Sequence, residues 1–271
     1  MVRSLWTAAT GMIAQQTNVD TIANNLANVN TTGYKTQVAE FQSLLYQNLQ
    51  TKTTSANGEM KPGSAQVGLG VRNSSISSIF TQGEFIESTS DSSFAIEGKG
   101  FFAIQGLNGE TEYTRNGNFF ISQGKEGLTL CTTEGYPVLD AEGKPIVFPA
   151  DYIASKITIT GDGRFQYPDD QNQPQDLGIT MGVFQFNNPT GLYKNDGGYF
   201  DVTDASGPAM NEATNTALTK SKVVKGYLEA SNVQVADEMV NLIVAQRAYE
   251  LNSKAITTTD EMMQTANQLK N

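Results

Sequence analysis

Apolar residues near the start of the chain recur at intervals of seven. The members of this series are Leu5, Met12, Val19 and Leu26. A second set, three residues further on, consists of Ala8, Ile22 and Val29. This spacing is typical of the narrow seam through which one helix packs on another. We therefore predict a helix over residues 3–28 that ends in the turn-forming segment 30–33, while the apolar residues within 38–45 allow a second, shorter helix.

The end of the chain repeats this spacing. Its seven-residue series consists of Val235, Leu242, Tyr249, Ile256 and Met263, and Met239, Ala245 and Ala266 widen the stripe. Ser231 and Gln234 have the spacing of a capping box, and two acidic residues follow in the first turns, where the helix dipole favours negative charge. The pattern predicts one long helix over residues 231–271.

The middle of the chain is rich in residues that interrupt helices. All eight prolines lie within residues 62–208, and all but three of the 25 glycines lie within residues 46–225. Short apolar runs between these glycines and prolines predict strands over residues 94–97, 101–105, 111–115, 118–122, 128–132, 136–139, 157–160, 179–186 and 199–202. Asn116-Gly117 predicts a tight hairpin between two of them. Such closely spaced short strands indicate an antiparallel all-β domain.

These elements predict an α+β fold in which the N- and C-terminal helices form a coiled-coil-like pair and an antiparallel all-β domain is inserted between them. The alternative is that both helices pack on the β domain. We expect residues 1–45 and 226–271 to form a helical core domain and residues 76–225 a β-rich outer domain. Residues 46–75 are polar and poor in large apolar side chains, which predicts an extended arm.

Composition narrows the possible chemistry. The chain has 28 acidic and 18 basic residues, a net charge of -10 and no histidine. Histidine-based catalytic triads and metal sites are therefore excluded, and Cys131, as the single cysteine, can form no internal disulfide. The acidic balance disfavours nucleic acid as a partner. No apolar run is long enough to span a membrane, and we expect no cleavable secretory signal at the N-terminus.

Few motifs suggest a bound cofactor or catalysis. Residues 98–103 match the loose dinucleotide pattern G-x-G-x-x-A, but the residues after the glycines favour a strand rather than the helix that the pattern requires. Asp169 and Asp170 could serve a histidine-free glycan hydrolase, yet their neighbours favour a solvated loop. A polymeric adhesin with a carbohydrate site is a third possibility. We predict no cofactor, no metal and no catalytic residue.

The end of the first predicted helix is unusually rich in asparagine. Asn24, Asn25, Asn28 and Asn30 occupy four of the eight positions 23–30, although asparagine is only a middling helix former. Helix capping explains one or two of them, and hydrogen bonds to neighbouring subunits would explain the rest, because buried amides need partners. Trp6, the only tryptophan, lies beside the apolar stripe and could anchor an interface.

Several of these segments resemble the flagellar rod and hook proteins. The N-terminal signature covers residues 3–12, 15–20 and 22–35, and the C-terminal signature covers residues 229–233, 238–243 and 246–254. Residues 97–102 and 113–118 resemble the β motifs of the family. Residues 3–6 and 15–18 resemble the distal rod members more than the proximal rod or hook members, and the polar segment between Leu45 and Val71 resembles their additional arm.

The resemblance implies a non-catalytic subunit of a hollow helical tube in the flagellar basal body, with the terminal helices innermost and the β domain outside. It also implies unfolded export through the flagellar secretion apparatus, without a cleaved signal, into the cell envelope. The implied partners are copies of the chain itself, proximal rod proteins, the hook protein and surrounding ring proteins, with no direct membrane insertion. We expect the assembly interface to comprise Leu5, Trp6, Met12, Val19, Ile22, Asn24, Asn25, Leu26, Asn28, Val235, Met239, Leu242, Tyr249, Ile256 and Met263.

Overall fold

The computed structural model describes residues 2–50, 65–107, 109–124, 127–169, 173–215 and 217–269. The chain divides into two compact units. The helical unit comprises Met1–Ala27, Gln37–Ser78 and Gln234–Asn271, and the β unit comprises Asn28–Thr36 and Ile79–Val233. The α+β class is confirmed. The domain boundaries drawn from the sequence remain a prediction.

Two long helices dominate the helical unit. Helix α1 spans Val2–Ala27 and helix α2 spans Val235–Gln268, so both predicted helices are confirmed. The helices are antiparallel, because Asn25 near the end of α1 meets Glu238 near the start of α2, while Gly11 lies against Asn252. The predicted capping box is wrong: Gln234 is the N-cap residue and makes no side-chain capping bond.

The rest of the helical unit is a pair of two-stranded ladders. Its strands are β1 (Gln37–Ser43), β2 (Tyr46–Gln50), β3 (Ala65–Gly68) and β4 (Val71–Ser78). Strand β1 pairs with β4, and β2 with β3, all antiparallel. The short helix considered for residues 38–45 is therefore wrong, because seven consecutive residues from Gln37 instead pair with residues 71–78. Residues 51–64 of the predicted arm lie outside the described residues.

The β unit contains sixteen described strands. In chain order they are β5 (Phe85–Glu87), β6 (Phe94–Glu97), β7 (Phe101–Gln105), β8 (Thr111–Thr114), β9 (Phe120–Gln123), β10 (Leu128–Cys131), β11 (Val147–Phe148), β12 (Thr158–Ile159), β13 (Arg164–Pro168), β14 (Pro174–Thr180), β15 (Val183–Gln185), β16 (Tyr193–Lys194), β17 (Tyr199–Asp201), β18 (Met210–Asn211), β19 (Lys222–Lys225) and β20 (Tyr227–Glu229).

The largest sheet has the strand order β16-β17-β8-β7-β15-β18. Two three-stranded sheets, β11-β10-β9 and β12-β13-β14, and the pairs β19-β6 and β20-β5 complete the β unit. All described pairings are antiparallel, as predicted. The predicted hairpin at Asn116-Gly117 is wrong, because β8 pairs with β7 and β17, whereas β9 pairs with β10.

Aromatic side chains fill the core of the β unit. Phe102, Phe119, Phe148 and Phe165 are fully buried in one apolar cluster, and Phe101 and Phe200 belong to a second. Residues 98–103 lead into strand β7 rather than a helix, which confirms the strand prediction against the dinucleotide pattern. Within the described residues, neither helix has an 18-residue stretch apolar enough to cross a membrane.

Candidate assembly surface

The inward side of α2 follows a heptad spacing that is more polar than the sequence pattern suggested. Buried or half-buried positions recur every three or four residues: Glu238, Leu242, Ala245, Ala248, Asn252, Ile256, Thr259 and Met263, with half-buried Ser253 beside this series. Three of the predicted interface residues, Leu242, Ile256 and Met263, belong to this set. The others on α2, Val235, Met239 and Tyr249, are exposed.

The predicted residues of α1 divide in the same way. Ile22 is buried, and Leu5, Met12, Val19 and Leu26 are half-buried. Trp6 is 68% exposed and Asn24 is exposed. Asn28 is half-buried and belongs to the β unit. Gly11 allows close approach to α2, since a β-carbon built there would lie 2.9 Å from Asn252 Nδ2.

Asn25 is a junction within the helical unit. Its Nδ2 donates to the Gln37 carbonyl oxygen at 2.8 Å, and its Oδ1 accepts from the Gln37 N–H at 2.9 Å. The side-chain amide therefore pairs with β1 as a neighbouring strand would. Nδ2 also donates to Glu238 Oε2 at 3.2 Å, and Asn25 is only 1% exposed. The buried amide thus finds partners within its own chain, on both the β1–β4 ladder and α2.

The side of α2 opposite this inward seam carries large apolar residues. Val240, Ile243, Val244 and Leu251 are all more than half exposed, Leu251 to 69%. On α1, Trp6 and Ile13 are exposed to 68% and 66%. A solvent-facing helix surface normally carries polar residues, whereas several large exposed apolar side chains on one helix face, as on α2, mark a surface that another protein covers. We call these six residues the apolar surface of the helical unit.

A buried ion cluster lies inside the β unit. Lys35 Nζ lies 2.6 Å from Glu229 Oε1, and Arg115 Nε lies 3.0 Å from Glu229 Oε2, with all three side chains at most 3% exposed. Glu229 also accepts a bond from the Gly83 N–H, and Lys35 donates to the Thr81 carbonyl oxygen. Burial lowers the pKa of Lys35, and the attraction of Glu229 opposes that shift. The cluster joins residues from three distant parts of the chain.

Neither feature has the form of a catalytic centre. The Lys35–Arg115–Glu229 cluster is sealed from solvent, so no substrate reaches it. Asp169, considered for glycan hydrolysis, directly follows strand β13 and accepts an exposed hydrogen bond from Gln175 of strand β14, while Asp170 lies outside the described residues. The exposed feature that the helical unit presents is the apolar surface, which suits packing against protein.

Comparison with known proteins agrees with this geometry. Residues 5–35 match the family "Flagella basal body rod protein", residues 95–167 match "Flagellar hook protein FlgE/F/G D1 domain", and residues 224–269 match "Flagellar basal body rod FlgEFG protein C-terminal". The flagellar basal-body rod protein FlgG of Borreliella burgdorferi is 43% identical, with 100% of this chain and 99% of that protein aligned. The chain belongs to the flagellar basal-body rod protein family.

Other relatives match along their whole length. FlgG of Caulobacter vibrioides is 42% identical over 99% of this chain and all of the relative, and FlgG of Bacillus subtilis is 35% identical over all of both chains. This rod protein is accordingly a structural component of the flagellum and not an enzyme. A glycan hydrolase and an adhesin are not favoured.

The buried cluster takes one residue from each matched segment of the rod protein. Lys35 lies in the first segment, Arg115 in the second and Glu229 in the third. Sequence reasoning singled out these segments as motifs but missed this contact. The signal was present, because each of the three charged residues lies within or directly beside a short motif quoted for the family resemblance. Their pairing could not be found without the fold.

Proposed function

We propose that this chain polymerises with copies of itself into the distal part of the flagellar rod. The polymer is a hollow helical drive shaft that transmits motor torque to the hook. The observation that carries this proposal is the apolar surface of the helical unit, because six large side chains face water in the single chain. Covering one such side chain stabilises a complex by about 1.5–3 kcal/mol, so neighbouring copies have a strong driving force to pack there.

Within the subunit, α1 and α2 act as a coiled-coil-like pair that lines the axis of the tube. Its inward seam joins the two helices, and its apolar surface joins one subunit to the next. From the predicted interface, Trp6, Val235, Met239 and Tyr249 are exposed in the single chain and available to a neighbour. The buried and half-buried members, such as Ile22, hold the pair itself in shape. Each helix thus makes contacts within its own subunit on one side and contacts with a neighbouring subunit on the other.

The segment 46–75 serves as an arm that crosses neighbouring subunits and stiffens the shaft. Proximal rod proteins, the hook protein and the ring proteins flank the polymer in the basal body. The chain reaches this site unfolded, through the flagellar export apparatus. The absence of histidine and the single cysteine in the sequence suit a subunit that needs no catalytic or disulfide chemistry.

The test replaces apolar surface residues in the source bacterium. Val244→Glu and Leu251→Glu each place a charge on a side chain that is exposed in the single chain, so we expect the purified variants to fold normally. Buried at a contact between copies, the same charge has no partner, and rod assembly should fail. Complementation of a deletion strain, with swimming in soft agar and electron microscopy of isolated basal bodies, measures the outcome.

Thr257→Glu is the matched control, because Thr257 is an exposed polar residue of the same helix and gains the same charge. We expect the control strain to swim and to contain complete rods. Complete rods and normal swimming in both Val244→Glu and Leu251→Glu strains would contradict the proposal.

A further inference from the structure

A concave site of about 350 Å³ lies in the β unit and is lined only by residues of that unit. One wall is the segment 31–35, and the opposite wall is the turn 194–198 that leaves edge strand β16. The first wall is fixed by two bonds: Thr32 Oγ1 donates to Asn116 Oδ1 at 2.8 Å, and the Gly33 N–H donates to the Glu229 carbonyl oxygen at 2.8 Å. The site is therefore formed before any partner arrives.

Lys194 gives this site its chemistry. Its Nζ lies 4.4 Å from the centroid of the Tyr34 ring, and the side chain is half-buried. Among the described residues, no carboxylate lies within ion-pair distance of Lys194, although Asp196 lines the same site. Burial lowers the pKa of Lys194, which reflects an ammonium group that has lost water without gaining a counter-charge.

The ammonium group of Lys194 is well placed to bind a carboxylate from outside the chain. An ammonium that has already given up part of its hydration loses less on binding, and the Tyr34 ring holds it in place. Charge-assisted bonds of this kind are among the strongest polar contacts in proteins. The site is concave and has a volume of about 350 Å³, which leaves room for an acidic side chain.

We propose that the pocket between Tyr34 and Lys194 receives an Asp or Glu side chain from a second copy of this chain in the rod. Charge complementarity argues for a copy, because the chain carries 28 acidic against 18 basic residues. In a polymer, the neighbours of every subunit are chains with this same excess of acidic residues. The inference rests on the proposed self-assembly and adds to it a polar contact that fixes how one copy sits on the next.

Seeded polymerisation tests this contact. Purified subunit is added to rods isolated from the source bacterium, and the free subunit left after sedimentation gives the critical concentration. A charge-assisted bond contributes about 1.5–3 kcal/mol, which corresponds to a tenfold or larger rise in critical concentration for Lys194→Met. Lys194→Arg keeps the charge, so its critical concentration should rise less than about threefold above that of the wild type. Lys144→Met removes the same charge from an exposed pair and is the matched control.

A second measurement identifies the occupant. A carbodiimide joins an amine directly to a touching carboxylate, so polymers grown from equal amounts of ¹⁴N- and ¹⁵N-labelled subunits should give mixed-isotope crosslinks at Lys194. The crosslink should be absent from the unassembled subunit. The inference would be overturned if Lys194 crosslinks only within one chain, only to another rod protein, or not at all. It would also be overturned if Lys194→Met and Lys144→Met have the same critical concentration.

The two proposals fail differently in this experiment. If the wild-type subunit adds to no rod, then the proposed self-assembly is wrong and this inference falls with it. If the wild-type subunit polymerises but Lys194→Met polymerises equally well, self-assembly stands and only the role of Lys194 is refuted. Folding of Lys194→Met is checked by its thermal unfolding midpoint, which should match that of the wild type because Lys194 lies at the rim of an open site.

Discussion

Glu229→Gln removes the one negative charge from the buried cluster of the β unit and leaves the shape of the side chain almost unchanged. Glu229 is 1% exposed and lies between two cations, with Lys35 Nζ at 2.6 Å and Arg115 Nε at 3.0 Å. The amide retains some hydrogen bonds, but it leaves Lys35 and Arg115 as uncompensated buried charges. Removing one partner of a buried ion pair typically costs about 3–5 kcal/mol.

Hydrogen exchange measures this loss. The amides of Phe102 and Ile104 in β7 belong to fully buried residues, so they exchange through large-scale opening of the β unit. A loss of about 3–5 kcal/mol speeds their exchange by roughly two to three and a half orders of magnitude. Glu250→Gln is the control, because Glu250 forms an exposed ion pair with Arg247 that contributes less than about 1 kcal/mol.

The same variant has a defined pH dependence. Burial already lowers the pKa of Lys35, and loss of Glu229 removes the attraction that opposes the shift, so the pKa falls further. The unfolded chain keeps the Lys35 proton up to the ordinary pKa of 10.5. Between the lowered pKa of the folded variant and 10.5, the unfolded state therefore binds more protons than the folded state, and the stability of the variant rises with pH in that range. The deficit of Glu229→Gln should shrink as the pH is raised toward 10.5. A deficit under 1 kcal/mol at pH 7, or one that grows with pH, would refute this reasoning.

Two further predictions concern the segments that follow and end α1. Gly33→Ala should destabilise the β unit by more than about 1 kcal/mol, because Gly33 has φ +71° and a β-carbon built there lies 2.6 Å from the Asn116 backbone nitrogen. Gly135→Ala is the comparison, because Gly135 has φ +92° but open space around the built β-carbon. Thermal unfolding of both variants should show the smaller loss of stability for Gly135→Ala. Asn25→Asp should destabilise the helical unit by about 2–3 kcal/mol, because it places a second carboxylate against buried Glu238, as measured by urea unfolding followed by circular dichroism.

Controls separate these effects from general disturbance. Asn24→Asp introduces the same change one residue earlier, where the side chain is exposed and bonds to Gln37 Oε1 at 3.1 Å, and it should alter stability by less than about 0.5 kcal/mol. Equal losses for Asn24→Asp and Asn25→Asp would contradict the junction role of Asn25. Equal losses for Gly33→Ala and Gly135→Ala would show that close approach to Asn116 is unimportant.

The sequence predicted the helices well because apolar residues at regular spacing reveal which elements are amphipathic. It described the seam between them only in part. Leu242, Ile256 and Met263 were found, but the alternate seam positions Glu238 and Asn252 are polar and give no hydrophobic signal. Glu238 is buried and Asn252 half-buried because Asn25 and Gly11 on the facing helix lie against them. That contact is a property of the pair of helices and not of either segment alone.

The errors in the β regions have a different cause. Val38 and Phe41 are spaced as in a helix, yet β1 is a strand because residues 71–78, some thirty positions later, supply its hydrogen bonds. Asn116-Gly117 has the composition of a hairpin turn, but β8 is already paired on both edges by β7 and β17. Long-range pairing overrode local preference in both cases. The buried ion cluster was missed for the same reason.

The central claim is that copies of this chain cover the apolar surface of the helical unit in the rod. Hydroxyl-radical footprinting tests it, because tryptophan and methionine react readily. Trp6 belongs to the apolar surface, and Met239 and Met262 are exposed probes on α2, the helix that carries four of its six residues; all three are more than half exposed in the single chain. We predict rapid oxidation of these three residues in the purified subunit and strong protection in isolated rods. Equal oxidation in subunit and rod would contradict the account.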